Sequence, residues 1–398
     1  MNSRPGTPRS ETLYFQMLVK YFSRLQTAHQ DGKLIATHTV FTPGELLYAM
    51  DVVPMHTEGV TWLAALFLGQ TGEMLTAGAA LGLSPEVCSA HRGLAGGFQL
   101  GVLPRPDFVV WTNLVCDNSA KGGELVMKIN NCDGFFIDHP FKRTEEEFNY
   151  LVAELKDLVA FIQQKTGRKL DLDKLSKTVQ GVDQELQLLR EIADLRKKVP
   201  TPFPPAGFLR LVTVDYLFPG QPEAIEYLAA VRDELTEKVK KGEGGLPDER
   251  FRLMTLFIPP LYLVSALEKI YPEHGAASVC EPYFLEWGEG RLDPAKPLES
   301  VARKCLLNPP MHMYAPLDDD AIKFWADTAK KYKVDGAVNF AHVGCRHTCA
   351  TIKLLKDTLA EVDVPLLNID ADILDETSFS EEELRARFEQ FFEMLGDR

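Results

Sequence analysis

Seven cysteines, Cys88, Cys116, Cys132, Cys280, Cys305, Cys345 and Cys349, are the side chains of this 398-residue sequence with the widest chemical range. A free cysteine ordinarily packs as a small hydrophobe, so interest falls on those delivered to the end of a secondary-structure element. Cys116 is one. It follows Phe108-Val109-Val110-Trp111, an apolar run that reads as a short buried strand, and it lies in Asn113 to Glu124, which opens a helix. In an open parallel α/β sheet, ligands bind at the carboxyl ends of the strands, where free amides and helix dipoles favour negative charge. Thiolates and sulfide-rich clusters are such anions. The arrangement recurs downstream: Val334 to Phe340 reads as a buried strand, followed by Gly344, Cys345 and a helical run from Arg346 to Leu359. Cys88 stands just inside a third candidate helix, with Ser84 as N-cap and Pro85 at its first position.

Three sulfur ligands suit structural zinc or an iron–sulfur cluster. Small zinc sites usually take ligand pairs two to four residues apart, because a tight knuckle fixes two corners of the tetrahedron. No C-x-x-C pair is present. Cys345-Arg346-His347-Thr348-Cys349 would put two sulfurs one helical turn apart, a spacing that fits equally a core-facing Cys349 behind a functional Cys345. An iron–sulfur cube is larger and can be gripped from separate loops, and with three cysteines one iron stays open. From the residues alone, cluster, zinc and plain burial all stand. Cys132, Cys280, Cys305 and Cys349 are expected to be buried.

The elements that must position these residues alternate. Lys33 to Val40, Phe108 to Trp111 and Gly134 to Asp138 read as strands, and Met17 to Gln26 as a helix. Thr42-Pro43-Gly44-Glu45 reads as a helix start, with Thr42 capping and Glu45 completing a capping box. Thr144 caps a helix to about Gln164, and Leu170 to Lys198 is a second, long and amphipathic one. Pro200, Pro202, Pro204 and Pro205 mark the best domain boundary, and Pro222 to Lys241 is helical. A second alternating unit starts at Phe251, with strands Leu253 to Ile258, Ala276 to Val279, Ala337 to Phe340 and Leu366 to Ile369, and helices from Leu261, Asp320, Arg346 and Ser380. This is an α/β pattern. The expected organisation is a disordered or tag-like tail over 1–16, where Glu11 to Gln16 resembles a protease-cleavage sequence, an N-terminal lobe over 17–205, a helical linker over 206–250 and a C-terminal lobe over 251–398. Two lobes facing each other would bring Cys88, Cys116 and Cys345 into one cleft.

Composition narrows the function. With 45% hydrophobic and 25% charged residues the chain is globular. A formal charge of −14 argues against nucleic acid, which requires clustered Lys and Arg. No secretory signal is visible. The most apolar long stretch, Val60 to Leu83, is interrupted by Gln70 and Glu73 and reads as buried helix rather than as a membrane span. The expected setting is the cytoplasm, with reduced thiols.

Glu86-Val87-Cys88, Asn113 to Asp117 with Glu124, Asp335 to Cys345, Leu354-Leu355-Lys356 and Val364 to Asp370 together resemble the 2-hydroxyacyl-CoA dehydratase and benzoyl-CoA reductase family. So does Thr42 to Pro54, and the likeness runs in order from about residue 33 to the C-terminus. Glu223 to Gly245 followed by Arg250 to Leu253 is most similar to the larger cluster-bearing subunit of benzoyl-CoA reductases. Leu256 to Pro260 lacks a glycine common there, and Glu376-Thr377-Ser378 stands where many members have arginine.

The resemblance implies two Rossmann/flavodoxin-like lobes with parallel sheets and helical connecting segments, and a [4Fe–4S] cluster held in the cleft by Cys88, Cys116 and Cys345. It implies pairing with a homologous cluster-bearing subunit, in a heterodimer or alternatively a homodimer, a separate ATP-hydrolysing iron–sulfur activator, and an acyl-CoA substrate. In the reductases electrons stay in a dearomatised ring; in the dehydratases a ketyl radical loses water and the electron is returned. A third branch carries a double-cubane [8Fe–9S] cluster, and a non-catalytic electron-relay subunit is a reading from another class. The anaerobic, oxygen-sensitive chemistry of a low-potential cluster fits all of these.

Around the cysteines, Asp117 and Lys121 are candidates to tune a cluster or meet a thioester, and Arg346 to hold an anion. His91, His139, His342 and His347 are candidates for proton transfer. Asp318-Asp319-Asp320 reads as a helix N-terminus.

Overall fold

The computed structural model describes residues 7–114, 116–314 and 317–398, without the side chains of Ala65, Leu66 and Leu68. Val115 of the Cys116 motif and residues 1–6 of the expected tail lie outside the described residues. Among those described, eight strands form two four-stranded, all-parallel sheets. The first contains β1 (Ile35–His38), β2 (Val53–His56), β3 (Phe108–Thr112) and β4 (Asp133–Ile137), in the order β2-β1-β3-β4. The second contains β5 (Phe251–Thr255), β6 (Ala276–Cys280), β7 (Gly336–His342) and β8 (Leu366–Ala371), in the order β6-β5-β7-β8. Each lobe thus repeats one topology, in which strand order reverses between its first and third strands. That reversal opens a crevice at the carboxyl ends of the strands. The two Rossmann/flavodoxin-like lobes expected from the sequence are present.

β2 is absent from the sequence reading, because Pro54 argues against a central strand. It is an edge strand, where a missing N–H costs no ladder bond on the open side. β1, β3, β5, β6 and β7 are buried along their length, as strands covered on both faces must be. The apolar stretch from Val60 becomes two helices, Thr57–Leu68 and Thr71–Ala80. No helix among the described residues is long and apolar enough to cross a membrane.

Several helices match their sequence signals. Glu145–Thr166 and Glu381–Gly396 both begin with capping boxes, on Thr144 and Ser380, and Asp318 caps Asp319–Tyr332. Pro222–Lys241 ends at Gly242 in the left-handed conformation. Other expectations require correction. The first helix begins at Arg9, not Met17: Tyr14 packs on Tyr227, and Ser10 Oγ donates to Glu234 at 2.6 Å, so residues 9–16 are ordered against the helix Pro222–Lys241. The run from Arg346 breaks at Thr351 into Arg346–Ala350 and Ile352–Ala360.

The capping box at Thr42 is also overturned. The helix Gly44–Ala49 has no side-chain cap, and Thr42 Oγ1 donates instead to the Thr39 carbonyl at 2.6 Å. Glu45 is 1% exposed and accepts from Lys304 Nζ at 3.3 Å, joining the helix Pro297–Leu307 to the first lobe. Asp215 and Glu185 lie in the same buried group: Trp287 Nε1 donates to Asp215 at 3.0 Å, and the Gly220 N–H to Glu185 at 2.7 Å. One lysine therefore faces three carboxyl groups. Burial, reinforced by Glu45, pushes Asp215 up to about 7 against the pull of Lys304.

This buried group can be tested in two ways. Lys304→Met leaves Glu45 buried without its ion-pair partner and should cost about 3–5 kcal/mol in a denaturant titration. Because the folded Asp215 holds its proton to about pH 7, while an unfolded one releases it near pH 4, stability from this group falls as pH rises through that window. Asp215→Asn should flatten that slope.

Candidate functional site

All three motif cysteines are N-cap residues. Cys116 caps Asp117–Asn130, its sulfur accepting from the Ser119 N–H at 3.4 Å, and Cys345 caps Arg346–Ala350. Both follow the third strand of their own lobe, so they occupy equivalent places in the repeated topology. Cys88 caps Ser89–Gln99 and does not lie inside an earlier helix as expected. The reason is local: Ser84 Oγ accepts from the Glu86 N–H at 3.3 Å and its carbonyl from Val87 at 3.0 Å, so Ser84 closes a turn instead of starting a helix.

The lobes meet at these loops. A Cβ on Gly344 would lie 2.4 Å from the Cys88 nitrogen, and Asn118 Nδ2 donates to the Gly344 carbonyl at 2.9 Å. Asp117 pairs with Arg346 at 3.0 Å across the seam, and Arg92 with Asp375 at 3.0 Å. Between the lobes lies a cavity of about 80 Å³ open to the centre of a water molecule, and Cys88, Cys116 and Cys345 all line it. Burial first, then the neighbouring Cys345, pushes the Cys88 thiol up to about 12. Burial likewise raises Cys116, with Cys88 and Glu58 adding to it, and raises Cys345. Among the described residues no group of three His, Cys, Asp or Glu side chains is placed to hold a single metal ion. A larger cleft, about 850 Å³ beside Arg9 and Arg210, is lined by no described cysteine.

The polar wall of the cavity is Glu58 and His91. His91 Nε2 lies 3.7 Å from Cys116 Sγ and 3.6 Å from Glu58 Oε1. Glu58 Oε2 accepts from the Val40 N–H at 3.1 Å and from the Thr57 hydroxyl, while Oε1 has no hydrogen-bond partner among the described residues. Burial lowers the His91 pKa and keeps the ring neutral, against the pull of Glu58. Trp62, Phe257, Ile258, Tyr283 and Phe284 supply an aromatic and aliphatic wall. Glu58 and Trp62 escape the sequence reading because β2, whose end delivers them, does not read as a strand; the signal that could have found them is His56-Thr57-Glu58 after Val53-Pro54-Met55.

Asp117 and Arg346 line the cavity mouth, paired with each other and largely exposed. Lys121 does not line it; it is exposed and bonded to Glu124 at 3.3 Å. His342 and His347 join His91 in the lining, whereas His139 is turned onto the Pro140 carbonyl. Cys280 and Cys305 are buried and Cys132 half-buried. Cys349 is exposed rather than buried, on the outer end of the short helix Arg346–Ala350, with its sulfur donating to the His342 carbonyl at 3.4 Å.

A doubled parallel α/β fold with a thiol-lined cavity at its interlobe seam defines a class of two-lobed cleft proteins. Within that class, residues 39–395 match the family model described as 2-hydroxyglutaryl-CoA dehydratase, D-component, and the chain belongs to this family. It is 22% identical to a benzoyl-CoA reductase chain of Thauera aromatica, over 96% of this chain and 94% of the relative. It is 21% identical to the (R)-2-hydroxyisocaproyl-CoA dehydratase alpha subunit of Clostridioides difficile, over 96% and 95%. Identity to the (R)-phenyllactyl-CoA dehydratase alpha subunit of Clostridium sporogenes is 22%, over 79% and 78%.

The closeness of the seam is itself testable. Gly344→Ala drives a methyl group into the Cys88 backbone, which cannot yield as a side-chain tip would. Overpacking of this kind should cost about 1–3 kcal/mol. Arg346→Ala, which removes only an exposed pair, should change stability by at most about 1 kcal/mol. Denaturation midpoints compare the two.

Proposed function

We propose that this chain is a [4Fe–4S]-bearing subunit of a low-potential acyl-CoA enzyme of the benzoyl-CoA reductase type. The observation that carries the reading is the meeting of Cys88, Cys116 and Cys345, from two lobes, on one buried cavity. Thiolates are the usual protein ligands of iron–sulfur clusters. Burial, with the neighbouring motif cysteines adding to it at Cys88 and Cys116, keeps these three thiols protonated on their own, so all three become thiolates together only when a positively charged metal core compensates them. When bound, such a cluster supplies single electrons at low potential.

The chain's own residues would do the rest. Cys88, Cys116 and Cys345 would hold the cluster through their three thiolates. Phe257, Tyr283, Phe284 and Trp62 exclude water and offer flat apolar faces suited to an aromatic acyl group. The neutral His91 holds a ring proton at the cavity wall, 3.6 Å from Glu58 Oε1, which has no hydrogen-bond partner among the described residues. Asp117 and Arg346 pin the mouth. The companions this reading requires are a homologous cluster-bearing subunit and an ATP-hydrolysing activator in the cytoplasm; two relatives named as different subunits of one benzoyl-CoA reductase support a multi-subunit assembly.

A second reading, a 2-hydroxyacyl-CoA dehydratase subunit, is favoured by relatives of that name matching at 21% and 22% identity over 96% and 79% of this chain. Reductant use separates them. With an activator and ATP, a reductase consumes reductant in proportion to benzoyl-CoA converted, whereas a dehydratase releases water from a 2-hydroxyacyl-CoA with only catalytic reductant. Turnover of neither thioester would sink both. For the ligands, Cys116→Ala should lose most of the iron and Cys349→Ala should keep it; equal loss, or no loss, in both would overturn the assignment.

A further inference from the structure

The three motif cysteines are not placed in the same way. Cys116 and Cys345 lie just beyond the ends of β3 and β7, so each is positioned by its own sheet. Cys88 instead follows a turn, closed by the Val87 N–H on the Ser84 carbonyl, and what places it is the helix Ser89–Gln99 that it caps. That helix packs on Thr71–Ala80 backbone to backbone: a methyl group on Gly78 would run into the Arg92 carbonyl, and one on Gly96 into the Met74 carbonyl. A contact built on glycine sets the spacing of two helices but gives side chains little to interlock.

Directional contacts come from the second lobe. Beyond β8, the loop 372–378 meets the first turn of the Cys88 helix. The Leu374 N–H is shared between Ser89 Oγ at 3.1 Å and Asp372 Oδ1 at 2.8 Å. Arg92, only 5% exposed, donates through Nη2 to Asp375 Oδ2 at 3.0 Å. The loop is braced for this role. Asp372 Oδ1 also accepts from the Asp375 N–H at 2.8 Å, and the Leu261 N–H donates to the Ile373 carbonyl at 2.9 Å. Thr377 occupies Asp375 Oδ1 through its N–H at 3.2 Å and its hydroxyl at 2.6 Å, which leaves Oδ2 for Arg92. Ile373 and Leu374 are buried, and Ile373 lines the cysteine cavity.

We propose that the loop 372–378 is a clasp that positions Cys88, with Asp375, Arg92 and Ser89 as positioning residues that keep its thiol turned toward Cys116 and Cys345. The inference rests on the cluster reading of the cavity and adds to it the residues that hold the one ligand no strand delivers. Arg92 is the pivot, because a buried guanidinium deprived of its carboxylate is left uncompensated and its helix is then free to shift.

One test needs no cluster. On the metal-free full chain, labelling of each cysteine by a biotin-bearing maleimide, too bulky for a cavity of about 80 Å³, is followed by peptide mass spectrometry and reports local opening. Asp375→Asn should speed labelling of Cys88 about tenfold and Ser89→Ala about threefold, as loss of a charged and of a neutral hydrogen bond do, with Cys116 and Cys305 at their wild-type rates. An unchanged Cys88 rate overturns the proposal, and so does an equal rise at Cys88, Cys116 and Cys305, which marks general loosening. A second test uses the iron-loaded protein: Asp375→Asn should release iron to a chelator about tenfold faster than wild type, and Asp375→Glu, which keeps the charge, more slowly than Asp375→Asn. Equal release from all three overturns the clasp while the cluster reading stands. Wild-type protein that takes up no iron sinks the cluster reading, and the labelling of Cys88 then decides the clasp alone.

Discussion

The arrangement depends on how closely two backbone segments approach at the seam between the lobes. Gly344 lies against the backbone of Cys88 with no room for a methyl group, and Asn118, two residues after Cys116, bonds to the Gly344 carbonyl. These contacts place the three cysteine loops in one register, so that thiols separated by 257 positions in the sequence (345 − 88) face one space. Here glycine serves close approach, not backbone freedom, since no positive φ is involved.

Buried charge holds the lobes in place around that seam. Arg196, at the end of the helix Leu172–Arg196, pairs with Glu281 just beyond β6, its Nη2 donating to Oε1 at 2.7 Å and its Nη1 lying 2.6 Å from Oε2. Arg252 on β5 donates to the Arg196 carbonyl at 3.1 Å and pairs with Glu249 at 2.5 Å. The Arg196 contacts tie the helix Leu172–Arg196 to the second sheet, and the Glu45–Lys304 pair ties the short helix Gly44–Ala49 to the helix Pro297–Leu307. Such pairs add little net stability over apolar packing, yet breaking one is costly. They therefore act on geometry more than on total stability.

Much of this is legible in the sequence. The run Phe108 to Trp111 announces itself by continuous apolarity and Gly336 to Phe340 by apolar residues broken only at Asn339, both are buried in the fold, and the caps at Thr144, Asp318 and Ser380 work through local hydrogen bonds that the residue types specify. What is not legible is tertiary in origin. Pro54 hides β2 because its tolerance depends on an edge position that only the sheet order reveals, and with β2 go Glu58 and Trp62. Glu45 has the spacing of a capping residue but bonds to Lys304, 259 residues away. Ser84 offers a helix start and closes a turn, moving Cys88 from helix interior to N-cap. In each case a local signal has two physical outcomes, and a distant partner chooses between them.

The central claim is that the interlobe thiols form an iron–sulfur site. Iron, acid-labile sulfide and zinc per chain, measured on protein purified without oxygen, test it most directly. The account predicts roughly four irons and roughly four sulfides, the content of one cube; roughly twice that would assign a double-cubane cluster and recruit further ligands. Zinc without sulfide, or thiols that take up no metal at all, would contradict it.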